Sequence, residues 1–403
     1  MRDLFRTRRM WRARQDLKSS YDVVIIGGGS HGLATAYYLR QHGINNVAIL
    51  ERGYIGSGAA GRNTTIIRSN YKTPEGARFY DASVNLYEGL SADLNFNLLF
   101  SQCGHLTLAH TDRAMFVMAN RAEVNRLNGI DSRLIGPEEV KALAPAMYVG
   151  PNTTHPILGA LYHPPGGIIR HDAVVWGFAR GADAGGAEIH EYTDVTGLER
   201  AGDRITRVHT SRGSVTAGVV LNCTAGWSSL TSAMAGIELP ITTHILQACV
   251  TEPVKPFLDV VVVSSQMHVY ISQSDRGEFV MGSEIEPWTT YRTRNTLNFL
   301  QDLTRHVLEL FPQLEHARLL RSWAGLCDLS PDYSPILGKT EVENFHVSAG
   351  WGTYGFKAAP IVGKTLAELV ATGETPELIA PFELERFYRD ELVSELAAAA
   401  VSH

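Results

Sequence analysis

Cysteine is scarce. The chain has four, Cys103, Cys223, Cys249 and Cys327, widely separated and with no C-x-x-C pair. That excludes a disulfide framework and a cysteine-based zinc site, and it fits a reducing, cytoplasmic setting. Long apolar runs are absent too: none reaches the roughly 18 residues that a membrane helix needs. There are no internal repeats and no low-complexity tracts. Charge of one sign is also lacking. Lys+Arg 36 against Asp+Glu 42 gives a formal charge of −6, which argues against a surface built for nucleic acid. What remains is an ordinary globular composition, 44% hydrophobic and 19% charged over 403 residues, enough for two or three domains. Glycine is plentiful at 37 residues.

Residues 1–20 stand apart, with seven Lys/Arg and two Asp. Arg8-Arg9 has the look of a twin-arginine signal, but no apolar stretch follows, so a basic arm is expected, loose or laid on a partner or on the chain itself. Regular structure is expected from Tyr21. YDVVIIGGG reads as a buried parallel strand entering a glycine turn, SHGLATAYYLRQHG as a helix ending near Gly43, and NNVAILERG as a second strand. Together they form a βαβ unit. Further on, a helix is expected from Asp172, strands near Ala187–Tyr192 and Val195, and a hairpin that ends in a buried strand at Val219–Cys223. Antiparallel strands with a turn at Asp275-Arg276-Gly277 follow. LNFLQDLTRHVLELFPQL has helical spacing, with Leu297, Leu300, Leu303, Val307, Leu308 and Phe311 on the expected core side. NFHVSAG reads as a strand, KAAPIVGKTLAELVATG as a helix and ELVSELAAAAVSH as a terminal helix.

Three motifs carry chemistry. Gly27-x-Gly29-x-x-Gly32 lies between strand and helix, and Glu51 closes the next strand 19 residues after Gly32. The first glycine permits the tight turn, the second lets backbone amides approach a pyrophosphate, and the third lets helix and strand pack closely. The acid receives ribose hydroxyls. This unit alone does not choose between FAD and NAD. The second motif is Gly61-Arg-Asn-Thr-Thr-Ile-Ile-Arg68. A near-buried guanidinium needs an anion: a structural carboxylate on the bland reading, a substrate carboxylate on the functional one. The third is SAGWGTYGFKAAP, a strand, a glycine turn and a helix start carrying Lys357. A cation in a first helical turn opposes the helix dipole. Either it is a solvated surface lysine or a carboxylate or reduced-flavin charge lies nearby.

GGGSHG, the strand-ending Glu51, VVLNCTAGW, RSWAG, the Asp-x-x-Pro before Ile336-Leu-Gly338, and SAGWGTYGF resemble the D-amino-acid oxidase/sarcosine oxidase group of flavoproteins, over Tyr21 to about Gly373. The resemblance implies an α/β fold: a Rossmann-type FAD-binding domain (21–85, 150–232 and 321–385) interleaved with an antiparallel-sheet substrate domain (86–149 and 233–320), between the arm at 1–20 and a C-terminal helix at 386–403. It implies FAD on Gly27, Gly29, Ser30, His31, Gly32, Glu51, Ala59, Thr65, Ile66, Val195, Gly352, Gly355 and Lys357. It also implies a substrate carboxylate held by Arg68 and Lys357.

Within the group, GRNTTIIRSNY, HGLATAYYL, NRLNGID and HVYISQ are most similar to the β subunits of heterotetrameric sarcosine oxidases. There His171, at a position usually proline, is implied to carry FMN through the flavin 8α carbon, with His268 and Arg321 as FMN neighbours. A neutral imidazole is a competent nucleophile for such a bond. Read alone, His171 is a helix cap. Some relatives tether FAD through a cysteine at the position of Gly325. Cys327 lies two residues away and is expected to point to the other side as a small core residue, so FAD is expected to be non-covalent. Trp227 departs from the sub-family, where a histidine is frequent. The implied reaction is oxidation of sarcosine at FAD, with electrons passing to FMN and then to oxygen. The products are glycine, hydrogen peroxide and formaldehyde, or methylene-tetrahydrofolate made with an α subunit, and γ and δ subunits are further implied partners. Two alternatives stand beside it: oxidation of proline, dimethylglycine or an opine, and a flavin electron-transfer subunit that oxidises nothing itself.

Overall fold

A computed structural model describes residues 10–12, 16–150 and 153–395; residues 1–9, which include Arg8-Arg9, lie outside it. The first β-strand, β1 (Ser20–Ile26), leads through glycines into helix α1 (Ser30–Leu39) and on to β2 (Val47–Leu50). β1 and β2 pair in parallel, Val23 with Val47 through Ile26 with Leu50. Their near-continuous apolar runs are buried on both faces, as a covered parallel sheet requires.

The first sheet runs Ile336–Lys339, Phe345–Ala349, Gly213–Asn222, β1, β2, Glu188–His190, with the hairpin Val195–Ala201/Arg204–Thr210 on the Gly213 strand. Helices His171–Ala184 and Ala359–Thr372 pack against α1 on one face. The approach is close: a Cβ on Gly363 would lie 2.6 Å from Ala34.

The second sheet runs Leu319–Leu329, Thr242–Thr251, Phe279–Ile285, Val269–Gln273, Val261–Ser264, His105–Ala109, Gly159–His163, Arg133–Ile135. It is antiparallel except where Val261–Ser264 pairs in parallel with His105–Ala109. Strands Gly159–His163 and Leu319–Leu329 belong to this sheet, although the expected boundaries put most of both in the FAD-binding domain. The helix Pro74–Asp93 runs unbroken through the expected boundary at 85.

Two local expectations need correction. Helix Leu297–Leu310 buries Phe299, Leu303, Val307 and Leu310. Leu297 is 68% exposed, because two residues before Phe299 is the opposite side of a helix. Of the C-terminal helix expected at 386–403, the described residues form a single turn, Arg386–Arg389. Beyond it the chain extends so that the buried Glu395 carboxylate accepts the Lys72 and Thr73 N–H groups ahead of helix Pro74–Asp93. A carboxylate at a helix N-terminus is well placed. Residues 396–403 lie outside the described residues. In the arm, Arg12 pairs with Asp183 at 3.2 Å and Lys18 with Glu188 at 3.2 Å, so its described part lies on the chain's own surface.

Candidate active site

The turn after β1 shows why its glycines are needed. Gly27 has φ +111, and a Cβ there would lie 2.4 Å from the Cys223 carbonyl oxygen. A Cβ on Gly32 would lie 2.1 Å from the Gly27 carbonyl oxygen, so α1 can seat against the strand end only without one. Gly29 differs: its nearest neighbour would be the Ala60 methyl at 4.0 Å, and the space beside it belongs to a cavity. Glu51 is clamped, one oxygen accepting Gly28 N–H at 2.8 Å and the other Gly53 N–H at 2.7 Å. Oε1 also accepts from Ser57 Oγ at 3.5 Å, while Oε2 keeps a lone pair for a further donor.

A second glycine turn faces the first. Strand Phe345–Ala349 ends in Gly350 and Gly352, both at positive φ. Asp328 holds this turn, its carboxyl oxygen accepting Gly350 N–H at 2.7 Å and its carbonyl accepting Gly352 N–H at 2.8 Å. Burial pushes the Asp328 carboxyl up to about 7. His31 joins the two turns. Its Nε2 lies 2.6 Å from the Gly355 carbonyl and its Nδ1 3.0 Å from Ser348 Oγ. A carbonyl only accepts, so Nε2 carries the proton and Nδ1 accepts from the hydroxyl. Burial lowers the imidazole to about 4, keeping it neutral. Asp328 and the bridging role of His31 escaped the motif reading. The Asp-x-x-Pro ahead of Ile336 begins at Asp332, so no motif marked Asp328.

Between the turns lies a cavity of about 740 Å3 walled by both sheets. Of the expected residues, Gly27, Gly29, Ser30, His31, Glu51, Ala59, Thr65, Ile66, Arg68, Val195, Gly352, Gly355 and Lys357 line it, while Gly32 supports it from behind. Lys357 sits in a 3-10 turn, Phe356–Ala358, just ahead of helix Ala359–Thr372. It is 8% exposed, so it is not a solvated surface lysine. Burial, and then the Arg68 charge, hold its ammonium well below the usual lysine range. Arg68 is also buried. It donates from Nη1 to Asn70 Oδ1 at 2.9 Å, and its guanidinium lies 4.5 Å from the Tyr71 ring centroid and 5.9 Å from that of Tyr354.

Trp227 lines the cavity with the Arg52 guanidinium 4.5 Å over its ring. Contrary to expectation, Cys327 lines it together with Gly325, since positions two apart on a strand share a face. Burial pushes the Cys327 thiol far above its ordinary range, so it is no thiolate at neutral pH. Arg121, His105 and Tyr270 also reach the cavity, although none was expected to be a site residue.

His171, His268 and Arg321 do not line this cavity. His171 is the first residue of helix His171–Ala184, and the cap is Arg170. Burial lowers the His171 imidazole below its ordinary value and keeps it neutral, which suits an attachment point. Arg321 is exposed on strand Leu319–Leu329, opposite Val250; His268 precedes strand Val269–Gln273. Three strand spacings and four residues of register separate them, on the order of 20 Å. Among the described residues no group of His, Cys, Asp or Glu could hold a metal ion, and no helix is long and apolar enough to cross a membrane.

The fit to a dinucleotide rests on three features: two glycine turns facing one cavity, a clamped carboxylate at the strand end and a buried cation opposite. Comparison with known proteins agrees. Residues 22–369 match the family described as FAD dependent oxidoreductase, and the chain belongs to that family. Within it, the chain is 45% identical over 395 residues to a sarcosine oxidase subunit beta from Arthrobacter, covering 98% of this chain and 97% of that one. It is 46% identical to the same subunit from Rhodobacter capsulatus, covering 97% and 94%. Among solved structures, L-proline dehydrogenase from P. horikoshii superposes with a TM-score of 0.88 at 31% identity, covering 94% of this chain and all of that one. The chain is an amine-oxidising flavoenzyme, related to these β subunits.

Proposed function

We propose that the chain oxidises sarcosine, binding its carboxylate with Arg68 and Lys357. The observation that carries this reading is the burial of both cations in the cavity that the dinucleotide corner opens into. A pure electron relay needs no such pair, which speaks against the electron-transfer alternative. When bound, FAD supplies the acceptor for the hydrogen of the N-methyl carbon, and FMN linked to His171 supplies the exit to oxygen. The protein's part is placement. Arg68 fixes the carboxylate end, so the amine and its methyl group point along the cavity. The neutral tyrosines around Arg68 exclude water: Tyr71 and Tyr80 stack at 3.8 Å, and Tyr354 meets Tyr71 edge-on at 5.3 Å. Lys357 follows the Gly352–Gly355 turn, its Nζ donating to the Thr353 carbonyl at 3.4 Å. Loss of two electrons converts the amine to an imine. Water then yields glycine and formaldehyde, or tetrahydrofolate in an α subunit takes the one-carbon unit, while oxygen becomes hydrogen peroxide. FAD is held without a covalent bond, the compartment is cytoplasmic, and α, γ and δ subunits are the partners. The word "subunit" in the relatives' names supports the assembly. The likeness to L-proline dehydrogenase favours one second reading, a cyclic secondary amine in the same clamp.

Three measurements test this. Anaerobic flavin bleaching by sarcosine, proline and dimethylglycine ranks the substrates. Arg68→Ala should raise KM and lower turnover, and unchanged kinetics would remove the clamp. Acid precipitation should leave FMN on the His171 peptide and free FAD in solution; all flavin in solution, as FAD alone, would return His171 to a helix terminus.

A further inference from the structure

Arg121 lies in the middle of helix Asp112–Leu127, yet it is 6% exposed and lines the cavity. It reaches the residue that Arg68 also holds. Arg68 donates from Nη1 to the Asn70 carbonyl at 3.3 Å and to Asn70 Oδ1 at 2.9 Å. Arg121 donates from Nε to the same carbonyl at 2.5 Å, and from Nη2 to that carbonyl and to Oδ1, the latter at 3.2 Å. One asparagine therefore yokes two guanidiniums. Its own Nδ2 is buried with no hydrogen-bond partner among the described residues, a costly state unless an acceptor comes within reach.

Two like charges do not share a buried amide without an anion to offset them. Burial, and then Arg68, push Arg121 down to about 9, so it stays charged at neutral pH. The carboxylate that acts on it, Glu395, is occupied by the N–H groups of Lys72 and Thr73 and the Thr73 hydroxyl. Arg121 spends Nε and Nη2 on Asn70, while Nη1 donates to no described residue. Its two N–H groups belong to a side chain in the cavity wall. A carboxylate has about four lone-pair positions and can be shared by two guanidiniums.

We propose that Arg121 is a second carboxylate-binding residue of the substrate cavity, so that the substrate's anionic end is held by two guanidiniums with Asn70 setting their spacing. This deepens the reading above and rests on it. It makes a free carboxylate a strict requirement, and it places the selecting residue on a helix of the substrate domain rather than on a flavin-binding loop.

The test uses the assembled holoenzyme and acetate, an unreactive carboxylate whose binding perturbs flavin absorbance. Arg121→Met should weaken acetate binding and raise the sarcosine KM by roughly tenfold or more, with flavin content unchanged. Arg121→Lys keeps the charge but loses the fork on Asn70 and should show a smaller loss. The Arg68→Lys/Arg121→Lys double variant should lose less than the product of the single effects, because the two act on one ligand. Acetate affinity within twofold of wild type in Arg121→Met overturns the proposal. If that variant fails to assemble, Arg121→Lys decides on the same criterion. Wild type that binds acetate but is not bleached by sarcosine would instead sink the proposed substrate and leave Arg121 standing. Wild type that does not bind acetate overturns both.

Discussion

The three glycines of the first turn have separable roles. At Gly32 an added Cβ meets the Gly27 carbonyl oxygen at 2.1 Å and Ile25 at 3.0 Å. Backbone must move by about 1 Å to relieve this, an overpacking cost of about 1–3 kcal/mol borne with or without cofactor. Gly27→Ala adds a left-handed backbone penalty of about 1–2 kcal/mol to its clash with Cys223. At Gly29 an added Cβ meets only Ala60, at 4.0 Å, and φ −82 with ψ −174 suits alanine. Gly29→Ala should therefore leave the apoprotein as stable as wild type, or raise it by about 0.4–1 kcal/mol through the unfolded chain. Its damage falls on the ligand, because the methyl occupies the space where backbone amides would approach the pyrophosphate. The assay is a thermal midpoint on flavin-stripped protein, paired with the flavin-to-protein ratio after purification. Gly32→Ala and Gly27→Ala should lower both readings; Gly29→Ala should lower only the ratio. Wild-type flavin content in Gly29→Ala would refute the backbone-approach argument. A wild-type apoprotein midpoint in Gly32→Ala would refute the close packing of α1.

Other outcomes follow from buried charge. Asp332 and Arg386 pair at 2.8 Å with side chains 0% and 3% exposed, and Asp332 also receives Ser334 N–H and Val393 N–H. Asp332→Asn strands the guanidinium and should cost about 3–5 kcal/mol in denaturant unfolding; a loss below about 1 kcal/mol would contradict the pairing. The Asp328 carboxyl is raised by burial from 3.8 to about 7. The folded state then holds a proton that the unfolded chain releases, so this group's contribution is complete below about pH 4 and is lost as pH rises through 7. The difference amounts to at most about 4 kcal/mol. Asp328→Asn, neutral throughout, should flatten that part of the stability–pH curve between pH 4 and 7. An unchanged slope would mean that the carboxyl ionises normally.

Local rules made much of this protein legible. The β1–α1–β2 unit, the glycine spacing and the Gly350–Gly355 turn all lie within short windows, where periodicity and turn chemistry act directly. Arg68 and Lys357 were found because each sits beside such a window. Burial then resolved what local sequence left open, turning Lys357 from a surface or site residue into a cavity wall. Leu297 was misplaced because a leucine-rich helix offers two overlapping apolar stripes, and only the sheet beneath it chooses one. The tail beyond Arg389 reads as helical, but Glu395 finds better partners at a distant helix start.

By itself, the sequence determined the dinucleotide corner, the two glycine turns and the cations that flank them, because each depends on residues close in the chain. Tertiary structure alone decided that the Gly27 and Gly352 turns face each other through His31, that Asp328 pins the second turn, and that Arg121 joins Arg68 across Asn70. These contacts span 22 to 324 positions. No local pattern encodes such separations. They exist because two sheets close on one cavity and bring polar groups from distant parts of the chain together.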